Sequence, residues 1–311
     1  MYNIICTTPV MHLSGIYDEL KKHGKVAYFP SITKKELISK LKKHPFDVLF
    51  VNPNKQGYIL DIEILKNSNI KIINTCSTGT NHIDLNYCKK KEIKVYTLAD
   101  NKSFIKNLPS TSELAFGLMI SLLRKITQSN DSVKKNNWDY LPFVGRQIRG
   151  LNICVVGYGR LGKIFCKQLS GFGVSTFVVD PYVKKCKFKK LSLNKAISIA
   201  DVLVIHVHLH KATKNLINKK NINLFKKDAI IINTSRGEIV NETSVINAIR
   251  KGSLGGYGTD VLSNELTDIH KNIVIRALKD DMPVVVTPHI GGMTIEGQTK
   301  AYMFAAKKLK N

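Results

Sequence analysis

Three glycines between two apolar segments could bind the phosphates of a nucleotide. Gly157, Gly159 and Gly162 follow the apolar segment 153–156 with G-x-G-x-x-G spacing, and a helix-period stretch then leads to a second apolar segment, 176–179. The first glycine permits a tight turn, the second lets backbone approach a pyrophosphate, and the third lets helix and strand pack closely. The helix start adds N–H groups and a positive dipole end. Together these features predict a dinucleotide site.

Asp180 ends the second apolar segment and bears on which dinucleotide is bound. An acid at this place can accept hydrogen bonds from both hydroxyls of the adenosine ribose, and its charge repels the 2′-phosphate of NADP. Lys184 and Lys185 follow shortly afterwards and leave NADP open. The sequence therefore favours NAD without establishing how strictly it is selected.

Three side chains suited to proton and hydride chemistry follow predicted strands in the second half of the chain. They are Arg236 after strand 229–233, Glu265 after strand 255–259 and His289 after strand 284–286. Because the carboxyl ends of parallel strands face the ligand crevice, we expect the three to meet there. A guanidinium can bind a carboxylate, and an imidazole beside a carboxylate can move a proton near neutral pH. A surface salt bridge for the arginine and a structural role for the histidine are the alternatives.

The elements that must position these residues form two βαβ series. In the first hundred residues the predicted strands are 3–6, 26–29, 47–51, 71–74 and 94–97, and the predicted helices are 34–43, 59–66 and 85–91. A long helix is predicted from Ser112 to about Asn130, followed by a polar segment to Gly150 that contains Trp138. Strand 202–207 joins the later strands in a second series. Residues 294–309 have a helical pattern and too few apolar residues for a separate domain, so we expect them to pack on the first.

This alternation of strands and helices predicts an α/β protein with two Rossmann-like or flavodoxin-like, doubly wound parallel-sheet domains and a cleft between them.

The positive charge of the chain is weak evidence for nucleic-acid binding. The 311 residues carry 48 Lys and Arg against 23 Asp and Glu, a net charge of +25, yet only seven are arginine. Sequence-reading proteins rely on arginine for bidentate contacts. We therefore expect a solvated basic surface with no specific nucleic-acid partner and some nonspecific polyanion binding at low salt.

The sequence argues against a membrane-spanning, a secreted and a metal-binding protein. The longest strongly apolar stretch, 114–123, is too short to span a bilayer, and the N-terminus lacks the layout of a signal peptide. The six cysteines show no C-x-x-C pair and no metal-ligand spacing. These features predict a cytoplasmic protein with reduced thiols, no bound metal and no membrane association.

The chain resembles the D-isomer-specific 2-hydroxyacid dehydrogenase family along nearly all of its length. The matching segments are STGTNHIDL (77–85), GYGRLG (157–162), VVDPY (178–182), HVHLHKATKNLI (206–217), INTSRGEIV (232–240), GTDVLSNE (258–265) and TPHIGGMTIE (287–296). Several such motifs in one order are far more specific than any one of them. Within the family, GTN at 79–81 and TKN at 213–215 resemble the D-3-phosphoglycerate dehydrogenase branch.

The resemblance implies a role for each candidate residue. Arg236 would bind the substrate carboxylate and polarise the keto oxygen, His289 would exchange a proton with that oxygen, and Glu265 would stabilise the protonated imidazole. Asp260 would orient the nicotinamide carboxamide. The backbone of a loop in the first half would cradle the substrate carboxylate, and its residues are Ser77, Thr78, Gly79 and Thr80. Further cofactor contacts would come from Arg160, Leu161, Thr213, Thr234 and Ser235.

The resemblance also implies an architecture and an activity. Residues 1–101 with 290–311 would form the substrate-binding domain, and residues 102–289 the NAD-binding Rossmann domain. The latter would form a homodimer interface, to which the predicted helix 112–130 contributes. The activity would be hydride transfer between nicotinamide and C2 of a small-molecule D-2-hydroxy acid or 2-oxo acid, namely 3-phosphoglycerate, or hydroxypyruvate and glyoxylate. A non-catalytic NAD-binding regulator on the same fold is the alternative.

Some positions depart from the family's pattern. His208 stands where proline is usual, so we expect the local loop to differ. Lys55 lies near the place where phosphoglycerate dehydrogenases often have an arginine for the substrate phosphate, and it either takes that role or is a surface lysine. The sequence ends at Asn311 without the regulatory domain of many phosphoglycerate dehydrogenases, so serine feedback through such a domain is not expected.

Overall fold

The chain folds into two units in this computed structural model, which describes residues 1–52, 57–265 and 269–310. One unit consists of residues 1–108 and 292–311, and the other of residues 109–291. The sequence predicted the division at 101 and 290, whereas the structure assigns 102–108 to the first unit and 290–291 to the second. Lys55 lies outside the described residues, so its role stays a prediction.

The first unit is built on a five-stranded parallel sheet. Its strands are β1 Tyr2–Cys6, β2 Gly24–Tyr28, β3 Val48–Val51, β4 Ile72–Thr75 and β5 Lys94–Tyr96, in the order β2-β1-β3-β4-β5. Its helices are α1 Ile16–Lys21, α2 Lys34–Lys43, α3 Ile62–Leu65, α4 Leu85–Lys90, α5 Lys102–Ile105 and the C-terminal α12 Ile295–Lys307. The sequence did not predict α1 and α5.

Alternate residues of the central strands pack on opposite faces of this sheet. Ile4 of β1 and Val48 of β3 contact the layer that contains α1 and α12, whereas Ile5 and Leu49 contact the layer that contains α2, α3 and α4. Because both faces are covered by helices, β3 is apolar at all four positions, and β1 is apolar over its buried residues 4–6. The C-terminal helix thus completes the core of the first unit, as its pattern predicted.

The second unit contains a seven-stranded parallel sheet. Its strands are β6 Asn152–Val156, β7 Ser175–Val179, β8 Lys189–Lys190, β9 Val202–Ile205, β10 Ile230–Asn233, β11 Gly256–Thr259 and β12 Val284–Val286, in the order β12-β11-β10-β9-β6-β7-β8. Its helices are α6 Ser110–Leu123, α7 Ile126–Lys134, α8 Arg160–Gln168, α9 Leu193–Ile199, α10 Glu242–Arg250 and α11 Ile273–Lys279. The strand order reverses between β6 and β9, which creates a ligand crevice at their carboxyl ends.

The same alternation builds the core of the second unit. Val202 and Val204 of β9 pack on the face covered by α6 and α8, and Leu203 and Ile205 pack on the face covered by α9, α10 and α11. Both units therefore have the predicted doubly wound parallel-sheet fold. Within the three described ranges, no helix is long and apolar enough to cross a lipid bilayer.

The helix predicted over 112–130 is wrong in one respect, because the structure has two helices there. After α6 ends at Leu123, Lys125 adopts a φ of 51° before α7 begins. The carbonyl of Leu123 accepts a hydrogen bond from the amide of Arg146 at 2.8 Å. The chain that returns from α7 thus occupies the place of the next helical turn, and a Cβ on Gly145 would lie only 2.3 Å from the same carbonyl oxygen.

Asp201 is a buried carboxylate at the amino end of β9, away from the crevice. One of its oxygens accepts a hydrogen bond from the amide of Asn152 at 2.8 Å, and the other lies 3.1 Å from Arg146 and 3.2 Å from Lys226. Burial raises the pKa of Asp201, but these hydrogen bonds and charges outweigh burial and leave the pKa below its usual value. Asp201 therefore joins three segments of the second unit as an ionised group.

Candidate active site

The glycine turn between β6 and α8 has the geometry that its spacing predicted. Gly157 has a φ of 94°, and a Cβ there would lie 2.4 Å from the carbonyl oxygen of His206. A Cβ on Gly162 would lie 1.9 Å from the carbonyl oxygen of Gly157. Both positions need glycine for packing within the protein. A Cβ on Gly159, in contrast, would meet no atom within 4 Å, so this glycine leaves room for a ligand.

The amino end of α8 supplies positive charge beside this turn. The nine-residue helix starts at Arg160, and no side chain caps it at Gly159. Burial lowers the pKa of the Arg160 guanidinium, which nevertheless stays protonated at neutral pH. Leu161 is half-buried in the first helical turn. Helix dipole and guanidinium together suit the two charges of a pyrophosphate.

Asp180 shapes the turn from the end of β7. Its carboxylate accepts hydrogen bonds from the amides of Tyr158 at 2.8 Å, Tyr182 at 2.9 Å and Val183 at 3.1 Å. The acid therefore joins the glycine turn to the segment after β7. A carboxylate oxygen can accept more than one hydrogen bond, so these contacts leave capacity for a ribose hydroxyl.

Glu265 and His289 form the central pair of the site. Glu265 Oε1 lies 2.8 Å from His289 Nδ1. Burial raises the pKa of Glu265, but the hydrogen bond and charge of His289, with smaller contributions from the Leu262 amide and Arg236, bring it below its usual value. Glu265 is therefore ionised at neutral pH and can only accept a hydrogen bond. Nδ1 is thus the donor, and Nε2 is the ring nitrogen that can serve a substrate.

Arg236 follows β10, Glu265 follows β11 and His289 follows β12, so adjacent strands of one sheet supply all three. Arg236 is half-buried, and its Nη1 donates to the carbonyl of Ser235 at 2.6 Å. Its charge acts on the Glu265 carboxylate. The structure thus brings together the three residues whose spacing predicted a meeting. A cation, a proton carrier and a carboxylate at one strand edge can bind and protonate a 2-oxo acid.

The loop that carries His289 is held by Asp260. His289 has a φ of 56°, a left-handed conformation that costs about 1–3 kcal/mol in a residue with a side chain. Asp260 accepts hydrogen bonds from the Thr287 hydroxyl at 2.6 Å and from the amides of Ile290 at 2.8 Å and Gly291 at 2.7 Å. These bonds surround the strained residue and stabilise its backbone.

The sequence did not predict that Asp260 stabilises the His289 loop. Asp260 is 2% exposed, and burial raises its pKa against the opposing effect of its hydrogen bonds. Both oxygens of its carboxylate are already bound within the protein. The implied contact with the nicotinamide carboxamide stays a prediction, beside an observed role in shaping the His289 loop. An acid directly after a buried strand was its one sequence signal.

The other predicted cofactor contacts lie at the carboxyl ends of β9 and β10. Ser235 Oγ donates to the carbonyl of Ile205 at 3.0 Å, and Thr213 Oγ1 donates to the carbonyl of His208 at 2.6 Å. Thr234 is buried, and its hydroxyl makes no hydrogen bond with the described part of the chain. A buried hydroxyl without a partner costs about 1–3 kcal/mol. Together with the space at Gly159, it fits a bound dinucleotide.

The loop predicted to bind a carboxylate follows β4 in the first unit. Ser77 Oγ donates to the carbonyl of Gly79 at 2.6 Å. Thr75 Oγ1 lies 3.0 Å from Ser77 Oγ and 3.0 Å from Nε2 of the buried His82. These bonds hold Ser77, Thr78, Gly79 and Thr80 in a defined turn. A carboxylate-binding role for their amides stays a prediction, and His82 is a supporting residue that no sequence signal singled out.

Residues 116–291 match the NAD binding domain of the D-isomer specific 2-hydroxyacid dehydrogenases, and this match covers more than half of the chain. The chain belongs to the D-isomer-specific 2-hydroxyacid dehydrogenase family. The unit at 109–291 is accordingly its NAD-binding domain. The prediction of NAD, which began with the glycine turn and Asp180, is confirmed at the level of the family.

Named relatives share this family with the chain. D-3-phosphoglycerate dehydrogenase of Methanocaldococcus jannaschii is 30% identical over 100% of this chain and 57% of its own length. The 2-hydroxyacid dehydrogenase A of Aspergillus oryzae is 32% identical over 79% of this chain and 71% of its own. The chain spans about half the length of the phosphoglycerate dehydrogenases it matches.

Solved structures of the family share the fold. A D-lactate dehydrogenase of Aquifex aeolicus, complexed with NAD and lactic acid, is 27% identical to this chain. It superposes with a TM-score of 0.80 over 99% of this chain and 94% of its own. The chain therefore shares both the family's NAD-binding domain and the fold of its solved members.

Proposed function

We propose that this dehydrogenase transfers a hydride between the nicotinamide of NAD and C2 of a small D-2-hydroxy acid or 2-oxo acid. The observation that carries the proposal is the 2.8 Å contact between Glu265 Oε1 and His289 Nδ1, on strands adjacent to the one that precedes Arg236. NAD, when bound, supplies the hydride carrier. The open space at Gly159 and the unsatisfied hydroxyl of Thr234 support its binding.

The side chains divide the work as follows in the reducing direction. Arg236 binds the substrate carboxylate and polarises the keto oxygen, because its planar fork matches two oxygens. His289 Nε2 donates a proton to that oxygen while C2 accepts the hydride. Glu265 stabilises the imidazolium before the proton leaves. In the oxidising direction His289 accepts the hydroxyl proton. The backbone of loop 77–80 is proposed as a further ligand for the carboxylate.

The change Glu265→Gln should move the pH profile of reduction. The carboxylate is ionised at neutral pH because its pKa is lowered, and its charge favours the protonated imidazole of His289. Without that charge the proton is released at lower pH, so the alkaline limb of kcat/KM should move down by about one pH unit. The profile is measured from pH 5 to 9 by NADH absorbance. The exposed Glu296→Gln removes the same charge and serves as the control. An unchanged pH profile would show that Glu265 does not stabilise the protonated His289.

We propose 3-phosphoglycerate and its oxo acid as the first substrate pair, with hydroxypyruvate and glyoxylate second. The GTN and TKN motifs and the phosphoglycerate dehydrogenase relatives support the first. A hydroxypyruvate reductase of Thermotoga maritima and a glyoxylate reductase of Thermococcus litoralis, each 29% identical, support the second.

A panel of 2-oxo acids tests this proposal directly. NADH absorbance is followed with phosphohydroxypyruvate, hydroxypyruvate, glyoxylate and 2-oxoglutarate, with NADPH in parallel. Oxidation of NADH by one of them establishes the enzyme and names its substrate class. If NADH binds and none of the panel is turned over, the proposal fails for these substrates and a non-catalytic NAD-binding regulator becomes the better explanation.

We also propose a cytoplasmic homodimer formed through the NAD-binding domain. Its six cysteines are free thiols, which suits a reducing compartment. The segment 126–144 exposes a series of large apolar side chains, of which Trp138 is 88%, Tyr140 76%, Leu141 65% and Val144 65% exposed. Apolar groups concentrated in this way mark an interaction surface. A second copy of the chain is the partner we propose for this surface.

The change Leu141→Asp should weaken the dimer, because it places a charge on this apolar surface. We expect the dissociation constant to rise at least about 100-fold, which equals roughly 2.7 kcal/mol. Sedimentation velocity over a concentration series measures it. Leu224, 41% exposed in another part of the same unit, provides the control Leu224→Asp. A wild-type chain that sediments as a monomer at all concentrations would contradict the homodimer.

A further inference from the structure

Glu242 is a buried carboxylate that the proposed mechanism does not use. It is the first residue of α10 and only 6% exposed. One of its oxygens accepts a hydrogen bond from the amide of Ser263 at 2.7 Å, and the other accepts one from Asn272 Nδ2 at 2.9 Å. Burial raises the pKa of Glu242, hydrogen bonds from the Ser263 amide and from the side chains of Asn272 and Ser263 oppose the rise, and the charge of Glu238 adds to it. The phenol of Tyr257 on β11 also lies within reach of its charge.

Ser263 and Asn272, which donate to Glu242, precede and follow Glu265 in the chain. Asn272 Nδ2 also donates to the carbonyl of Ser263 at 3.2 Å, which joins these two residues directly. Asn272 Oδ1 accepts from the amide of Val274 at 2.7 Å and thereby caps α11. Between Ser263 and Asn272, residues 266–268 lie outside the described part of the chain. The Glu242 carboxylate thus binds both Ser263 and Asn272.

Ser263 lies close to the catalytic pair in the chain and in space. Ser263 is two residues before Glu265, and the amide of Leu262 lies 3.4 Å from Glu265 Oε2. A Cβ on Gly237 would lie 2.1 Å from the backbone nitrogen of Ser263, so the turn after Arg236 packs directly on the same backbone. A shift of Ser263 would therefore move Glu265 and disturb the turn that presents Arg236.

We propose that Glu242 is a positioning residue that holds Ser263 and Asn272 in place, so that Glu265 stays within hydrogen-bonding distance of His289. Each of the two Glu242 oxygens faces a donor, and only a carboxylate offers an acceptor on both terminal atoms. Glutamine would satisfy one donor and place its own N–H groups against the other. This inference rests on the proposed function, because it concerns the proton relay of that site.

The first test needs no turnover and is an NMR titration of the His289 imidazole. The resonance is identified by its loss in His289→Gln. In Glu242→Gln the midpoint should move to lower pH by at least about half a unit, in the same direction as in Glu265→Gln. Asp201→Asn is the matched control, since it also neutralises a buried carboxylate that accepts from a backbone amide, away from the crevice. An unchanged midpoint in Glu242→Gln overturns the proposal, whether or not the protein turns over any oxo acid.

A kinetic cycle supplies the second test once a substrate is known. Glu242→Gln should lower kcat about tenfold with the KM for NADH unchanged, but less than about twofold when Glu265 is already Gln, because coupled residues are not additive. Full additivity would contradict the positioning role. If Glu242→Gln does not fold, Asn272→Ser replaces it. Serine retains the helix cap and removes the donor to Glu242, so the same loss is expected.

Discussion

Replacement of His289 by glutamine should lower kcat for oxo-acid reduction by about 10²–10⁴-fold. Glutamine can hydrogen-bond to Glu265, but it cannot carry a proton to the keto oxygen at neutral pH. The His289 loop should persist, since Asp260 binds the backbone of Ile290 and Gly291 and not the imidazole. The Kd for NADH should therefore stay within about twofold, because these hydrogen bonds are retained.

Steady-state kinetics and a fluorescence titration with NADH separate the two effects. His44→Gln is the matched control, since His44 is exposed in the first unit and lies in none of the site's motifs. Loss of NADH affinity together with kcat would show that the imidazole maintains the fold of the loop, which would make His289 a structural residue.

The change Arg236→Lys should lower kcat/KM for the oxo acid by about 10²–10³-fold, the scale of losing one preorganised donor to a developing oxyanion. Lysine retains the charge, but it cannot bind two oxygens with a planar fork. KM should rise because the carboxylate loses a bidentate contact, and kcat should fall because the keto oxygen is less polarised.

Arg250→Lys makes the same replacement at an exposed position at the end of α10 and should leave both constants unchanged. The measurement is a comparison of kcat and KM across the oxo-acid panel. A variant of Arg236 with wild-type kcat/KM would assign the carboxylate to other donors and reduce the arginine to a partner of Glu265.

Elements with local causes were predicted well from the sequence. The helix 34–43 has the predicted bounds, because Thr33 and Glu36 form a capping box and basic residues complete its last turn. The glycine turn was also predicted correctly. A positive φ at Gly157 and a close backbone contact at Gly162 leave no room for a side chain at either position, so both must be glycine.

Elements whose bounds depend on residues distant in the sequence were not predicted correctly. The break between α6 and α7 depends on the amide of Arg146, which reaches Leu123 only in the folded chain. The helix predicted over 59–66 is shortened to Ile62–Leu65 because Leu60 pairs with Ile83 in a parallel bridge. Neither partner is visible from the local pattern.

The sequence by itself determined the two sheets, the dinucleotide turn and the identity of the residues at the strand ends, because periodicity, glycine spacing and residue type are local properties. Tertiary structure alone decided how those residues are used. It placed Glu265 against His289, bound Asp260 to the strained histidine loop, and joined Glu242 to Ser263. These contacts join residues 21 or more positions apart. Their distances depend on how strands and loops pack, which no local pattern encodes.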